Sequence, residues 1–489
     1  MDSPCLFPST HKRFAITVGS PGGGIDRFDV TPLAAGGYLN WGTRLDPSHP
    51  TGMDFYQMIR LRDLGDVLQH RGPWPNQDEL LETVEANPAS AWIISNEAEY
   101  RWSSDSATPE EYSQTYHDLY SLIKGADPSA QIAINAVAAV TPLRLAWLDR
   151  AWSAYRDLYG TDMPVDIWTI HNYVVNEMVH EWGIDLPKGF SNAVGYGAGT
   201  WTQMDDPAAS GGTVHRSRDP GARAYFAFSG DHATLYLRTG PSSGIATIYL
   251  DKDLIDTVDL YAPQPGGRTL SYDDLPADHD PQFADRHHLR VQVTGQHNPA
   301  SGDTWIQVDA LEAPSTAGLP QGRLEDDDPL QAQVVVSADS YDDLDTILAQ
   351  IRTMRGWMAN HGQQHKPLIN TEYGVIIGED LGFDYGRVRD FMLDSFDLFL
   401  DDQAMVDPAI GMPEDGGRLL QQWFWFILAM RHFDGALIHT GLYDPRDHLI
   451  LPLGQDYGAY LGPLVSDYAD LETTLLTLKP GWPLFAGEP

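Results

Sequence analysis

Short apolar runs that stop abruptly at polar residues alternate with longer stretches of helical period over much of the chain. Trp92-Ile93-Ile94 ends in Ser95-Asn96-Glu97, and Leu368-Ile369-Asn370 ends in Thr371-Glu372-Tyr373-Gly374. Each reads as a buried strand that delivers a carboxylate to its C-terminal tip. Between them, Thr108-Pro109-Glu110-Glu111 predicts a capped helix start with proline at the first helical position. Tyr112, Tyr116, Leu119, Tyr120 and Ile123 mark the apolar face of that helix. Asp127-Pro128 turns the chain into a predicted strand over 131–137. A second helix opens at Thr141-Pro142, presents Leu145, Leu148, Trp152 and Tyr155, and stops at Gly160. A strand over 165–170 then ends in His171-Asn172-Tyr173. Strand–helix alternation with short connections is the mark of a parallel sheet.

The pattern is weaker at the start and changes in the middle. Residues 1–36 are rich in glycine and proline, with one short strand over 14–18. Strands follow over 38–42 and 55–61, the second carrying Arg60 and Arg62 near its end, and a weak one over 67–70. From about Gly195 to Leu311 the chain reads as short alternating strands about ten residues apart, with no helical period. That spacing predicts an antiparallel β-sandwich. Helical period returns at Leu344, Ile347, Ile351, Met354 and Met358, before the strand that ends at Glu372. A helix over 388–400 and an apolar run over 419–428, containing Trp423-Phe424-Trp425, complete the series.

The expected architecture is therefore α/β: a (β/α)8 TIM barrel interrupted by an inserted, jelly-roll-like β-sandwich. Residues 1–190 and 331–489 would form the barrel and residues 191–330 the insert. If Ile93, Ile132, Ile167 and Leu368 lie on strands four to seven, the two glutamates end strands four and seven, at the face where barrel chemistry sits.

Composition narrows the partners. The 489 residues carry 31 basic and 69 acidic side chains, a net charge of −38. Nucleic acid and anionic membranes would be repelled, whereas a neutral substrate would not. The 14 Trp, 22 Tyr and 16 Phe can build a large core and can also supply flat platforms for sugar rings. A single cysteine, Cys5, rules out an intramolecular disulfide. No apolar run reaches the roughly 18 residues of a membrane span. The N-terminus has neither a basic n-region nor an apolar h-region, so the expectation is a secreted protein whose leader is absent from this chain, or a cytoplasmic one. The oligomeric state is open.

Two carboxyl groups on opposite sides of a glycosidic bond supply what its cleavage needs: a proton for the leaving oxygen and stabilisation at the anomeric carbon. Glu97 and Glu372 fit that need if the strands bring them together. Glu99 and Glu177 are read as solvated, and His287-His288 as a loop without metal-ligand spacing.

Ser95-Asn96-Glu97 after Trp92-Ile93-Ile94, and Thr371-Glu372-Tyr373-Gly374 after Leu368-Ile369-Asn370, resemble the acid/base and nucleophile motifs of clan A retaining glycoside hydrolases. The resemblance covers residues 36–186 and 335–430. It implies Glu97 as acid/base, Glu372 as nucleophile, Asn96 on the sugar 2-hydroxyl, and His171 and Tyr173 as the sixth-strand pair, with the tyrosine bonded to the nucleophile. It further implies Trp425 as the aromatic floor of the sugar subsite. Trp41 and Arg60 are added as substrate-side residues; Trp41 could instead be packing, and Arg60 or Arg62 would contact the nucleophile carboxylate or else form a structural ion pair. The position after Asn96-Glu97 carries Ala98 where the clan usually has proline. The insert, with Phe226-Ala227-Phe228 and the run over 244–251, resembles carbohydrate-binding jelly-roll modules; it would bind sugar or serve as a spacer shaping one wall of the cleft.

The expected function is retaining hydrolysis of β-glycosidic bonds in a neutral poly- or oligosaccharide of the β-glucan, mannan or xylan type. The alternative is a non-catalytic carbohydrate-binding protein on a barrel scaffold. No cofactor is required, although the acidic turns of the insert, Glu325-Asp326-Asp327-Asp328 among them, offer oxygen ligands for a structural Ca²⁺.

Overall fold

The computed structural model describes residues 10–19, 24–61, 77–100, 105–174, 177–180, 183–184, 186–190, 192–275, 287–314, 323–328, 331–332, 341–433 and 435–478. The weak strand expected over 67–70 and Arg62 lie outside them.

Eight parallel strands form one sheet: β1 (Phe14–Thr17), β2 (Gly37–Leu39), β3 (Asp54–Ile59), β4 (Ala91–Ile94), β5 (Gln131–Ala133), β6 (Trp168–His171), β7 (Leu368–Tyr373) and β8 (Gln422–Trp425). Their order is β5-β4-β3-β2-β1-β8-β7-β6. Parallel bridges from Ala133 to Ile167 and from Val137 to Ile170 close the sheet into a barrel. Alternation along each strand sorts the side chains into two layers. Leu39, Met58, Ile93, Ala133, Ile167, Ile369 and Phe424 pack together inside. Trp92, Trp168, Leu368 and Trp423 point outward into the layer shared with the helices.

The helices that start at Pro109 and Pro142 begin where the sequence signals place them, whereas those at Gln77 and Pro452 carry no such Thr-Pro signal. Helix α1 spans Gln77–Ala86, α2 Pro109–Ala126 and α3 Pro142–Tyr159. Thr108 and Glu111 form a reciprocal capping box on α2. Thr141 caps α3, and Gly160, at φ 69°, ends it in the left-handed region that glycine adopts without a Cβ penalty. The buried side of α3 is led by Leu143, Trp147, Leu148, Trp152 and Tyr155; Leu145 is only half-buried. Helices α4 (Leu344–Asn360) and α5 (Tyr385–Leu400) are capped by Asp343 and Asp384. The last helix, α6 (Pro452–Leu478), packs on the segments Thr10–Arg13 and Thr31–Leu33. Among the described residues no α-helix precedes Gln77; short 3-10 turns connect β1, β2 and β3 instead. No helix among the described residues is long and apolar enough to cross a membrane.

Between β6 and β7 the chain forms two six-stranded, mostly antiparallel sheets. Leu235, Leu237, Leu270 and Val308 of one sheet and Phe226, Phe228, Ile248 and Val291 of the other belong to a single hydrophobic core. The sheet containing Arg223–Phe228 meets the barrel: Leu143 of α3 packs with Ile184, Leu186, Ala193, Tyr225 and Ala227. His287 and His288 are not in a loop. They open the strand His287–Val293 and are buried, with His287 Nδ1 2.9 Å from Asp251. Burial on a central strand left no trace in the local pattern.

Candidate active site

The rim of the barrel where β4, β6 and β7 end brings together Glu97, His171 and Glu372. One side-chain donor atom from each lies within 4.8 Å of the others, the one such group of possible metal ligands among the described residues. His171 Nδ1 is 2.9 Å from Glu97 Oε1. Its Nε2 is 3.4 Å from Glu372 Oε1 but does not meet hydrogen-bond geometry, so that second contact is electrostatic. Glu97 keeps 15% of its side chain exposed against 7% for Glu372, so solvent reaches the group from the Glu97 side.

Each glutamate is aimed by a local departure from regular strand. On β4, Ile93 faces inward, and the turn after it places Ser95 at φ 78° and Glu97 at φ 49°. Such values cost a non-glycine residue about 1–3 kcal/mol unless the surroundings hold it. They do. The fully buried Asp105 carboxylate accepts from Ser95 Oγ and from the Asn96 amide through Oδ2. Its Oδ1 accepts from Arg60 Nε at 2.9 Å. The Glu97 amide donates to the Ala136 carbonyl, and the Ala98 amide to Asn135 Oδ1.

On β7 the device is a bulge. The register against β6 advances from Asn370–Ile170 to Glu372–His171, and against β8 from Asn370–Trp423 to Tyr373–Trp425. One extra residue on β7 flips the phase that Ile369 sets, turning Glu372 inward and Tyr373 outward. Trp41 Nε1 donates to Glu372 Oε1 at 2.6 Å, and the Tyr173 hydroxyl donates to Oε2 at 3.3 Å.

The two acids differ in proton affinity. Burial is the largest influence on Glu97 and raises it, but the His171 hydrogen bond and charge, with Arg144 and Arg60, hold it below the usual carboxylate value. Burial is also the largest influence on Glu372; with the charge of Glu97 it outweighs His171, Trp41 and Tyr173, and the carboxyl is pushed up to about 7. Burial lowers His171, but Glu372 and Glu97 together raise it above its ordinary value.

Several residues sit elsewhere than the sequence suggested. Trp425 is fully buried and faces the helices, against Tyr373, Phe391 and Phe396, so it is no floor of the site. Trp423 faces the same way. The strand period explains both: Phe424 points inward, and Phe426, two positions on, is the ring that meets Trp41 and Tyr173. Arg60 pairs with Asp105, not with Glu372. Asn96 is buried at the tip of β4, where its backbone bridges Ala136.

Glu99 and Glu177 are fully buried, not solvated, and flank Arg144 of α3 at 3.0 and 3.4 Å. Glu99 also accepts from the Ala138 amide, tying the loops after β4 and β5 together behind Glu97. In the acidic turn after the strand Arg323–Glu325, the buried Asp326 carboxylate accepts from Thr213 and pairs with His215, both internal partners.

No protein-family model and no curated protein sequence matches the chain. Solved structures do. An endo-β-1,3-glucanase of glycoside hydrolase family 128, subgroup II, from Sorangium cellulosum aligns at 10% identity over 91% of this chain and 97% of its own, with a TM-score of 0.37. A family 51 α-L-arabinofuranosidase from Bifidobacterium longum aligns at 14% identity over 35% and 46%, with a TM-score of 0.23. A Paenibacillus xanthan lyase aligns at 17% identity, with a TM-score of 0.20; the chain spans only 12% of it and contributes 24% of its own length. At such values the likenesses say nothing about chemistry, which rests on the geometry of the rim.

Proposed function

We propose that this chain is a retaining glycoside hydrolase that cleaves β-glycosidic bonds in a neutral poly- or oligosaccharide of the β-glucan, mannan or xylan type. The observation that carries the reading is the meeting of two strand-tip carboxylates around one histidine, with donor atoms within 4.8 Å. Retaining enzymes hold their acids about 5–5.5 Å apart, inverting ones about 6.5–9.5 Å, and the closer arrangement supports double displacement.

In this scheme the Glu372 carboxylate attacks the anomeric carbon while Glu97 gives its proton to the leaving oxygen. Glu97 then takes a proton from the water that releases the sugar from Glu372. Trp41 and Tyr173 hold the nucleophile in line. At rest the donated proton belongs to His171, whose affinity is raised, and it reaches the leaving oxygen through Glu97 across their 2.9 Å contact, so the pair serves as the acid. All the protons come from these side chains and water, so the reaction requires no cofactor. Asn96 is assigned to the sugar 2-hydroxyl, and Trp41 with Phe426 to the ring face. Residues 1–190 and 331–489 form the catalytic barrel in this reading. Residues 191–330 form a jelly-roll-type insert that binds sugar or walls the cleft. Action on a polymer would fit a secreted enzyme, and action on an oligosaccharide a cytoplasmic one.

Azide rescue tests the assignment. Glu372→Ala with azide should yield the α-glycosyl azide, because the small anion attacks from the side the carboxylate vacated. Glu97→Ala with azide should yield the β-azide, formed from the glycosyl-enzyme. Undiminished hydrolysis in either variant refutes the scheme, and sugar binding without turnover in the wild type returns the protein to the non-catalytic alternative.

A further inference from the structure

Immediately beyond Phe426 on the same rim lies a cavity of about 380 Å³ lined by Ala429, Met430, Arg431, His432, Leu437, Pro445 and Arg446. It adjoins the glutamate site, because Met430 packs against the cluster of Tyr173, Phe426 and Ile427 that also takes in Trp41. Its size falls at the lower end of the range for small-ligand pockets.

The lining is unusual for this chain. Acidic residues outnumber basic ones by 69 to 31, yet among the described residues the lining has two arginines, a histidine and no carboxylate. Asp444, behind the wall, neutralises only one of them. It pairs with Arg431 Nη1 at 2.7 Å and accepts from the Arg446 amide at 2.8 Å, fixing both walls of the pocket. The Arg446 side chain is exposed and has no ion-pair partner among the described residues. A planar guanidinium presents paired donors that match the two oxygens of a carboxylate or sulfate. The overall charge would repel an anionic polymer at long range, but at physiological salt that repulsion is screened beyond about 8 Å. Short-range pairing in the pocket therefore decides.

We infer that this pocket is a specificity subsite for a sugar carrying an oxyanion substituent, a uronate carboxylate or a sulfate ester, on the glycan whose backbone lies across Glu97 and Glu372. The inference rests on the glycosidase reading only for the position of the pocket beside the scissile bond; binding itself is independent of turnover. The substrate class is thereby revised from a wholly neutral glycan to one neutral at the cut and charged at a neighbouring residue.

Isothermal titration of the full-length protein carrying Glu372→Gln, which stops turnover, tests this. Three probes share one backbone: xylotetraose bearing a single glucuronate, the same compound with its carboxyl reduced to the alcohol, and xylotetraose bearing a single sulfate. At physiological salt, where the repulsion of the whole chain is screened, one or both charged probes should bind about tenfold tighter than the reduced one, the worth of one charge-assisted pair. The two charged arms tell carboxylate from sulfate. Adding Arg446→Gln should close the gap to about twofold, and Arg446→Lys, which keeps charge without the fork, should keep part of it. Thermal melting confirms that these exposed substitutions leave the fold intact. Equal binding of charged and reduced probes, no binding of any probe, or a gap that survives Arg446→Gln overturns the inference. A gap that follows Arg446 in a protein that cuts no glycan would instead sink the glycosidase reading and leave the pocket standing.

Discussion

Glu97 and Glu372 share one rim and one histidine, yet the two strand tips are built from different materials. The β4 tip is ionic: a left-handed turn gripped by buried Asp105, with Arg60 bonded to that carboxylate and the Arg144–Glu99 pair behind it. The β7 tip is a bulged strand whose carboxylate meets an indole and a phenol. Burial acts on both acids in the same direction, and they still move oppositely, Glu97 down and Glu372 up to about 7. What separates them is the company of cations. Burial is the largest single influence at both tips, and the opposite directions follow from the charged side chains that each tip recruits.

Substitutions can break that contrast. Glu372→Gln should cost the most, about 10⁴-fold or more in kcat, because no other group can form the covalent bond; single-turnover kinetics with an aryl glycoside measures it. Glu97→Gln should cost about 10²–10⁴-fold on a natural glycoside and much less on an aryl glycoside with a good leaving group, since only proton donation is lost. Asp105→Ala attacks the ionic tip without touching sugar. It removes the carboxylate partner of Arg60 and strips two donors, and should lower stability by about 3–5 kcal/mol in chemical denaturation.

Smaller changes sharpen the contrast through pH. The nucleophile must be ionised and Glu372 is held at about 7, so kcat/KM should fall as pH drops through about 7. Trp41→Phe removes a hydrogen bond that favours the carboxylate and should move this acid limb upward by about one pH unit. His171→Asn removes a cation that lowers both acids, so the limb should again move up; a downward move would contradict the arrangement. The pH–rate profile of kcat/KM reads both.

The fold and the rim were legible in the sequence to different depths. Barrel strands β4, β6 and β7 announced themselves because apolar runs stop at polar residues, and α2 and α3 because Thr108-Pro109 and Thr141-Pro142 are local caps. The glutamates and His171-Asn172-Tyr173 were visible as strand endings. The aromatic run Trp423-Phe424-Trp425-Phe426 was not decipherable, since every position is apolar and the inward phase leaves no mark. Asp105, Glu99 and Arg144 were invisible for another reason. Their partners are far away in the chain or across a loop, and a buried ion looks like a solvated one until the fold supplies its counter-charge.

The docking contact of the outlying sheets has a consequence for the modularity of the chain. Leu143, which those sheets cover, is followed directly by Arg144, which anchors Glu99 two residues from Glu97. Excising the sheets to obtain a minimal enzyme would uncover Leu143, Ile184 and Leu186 and loosen the first turn of α3 at the residue that braces the acid. The piece that resembles a detachable accessory is in this respect part of the chassis, and a trimmed barrel should lose turnover along with solubility.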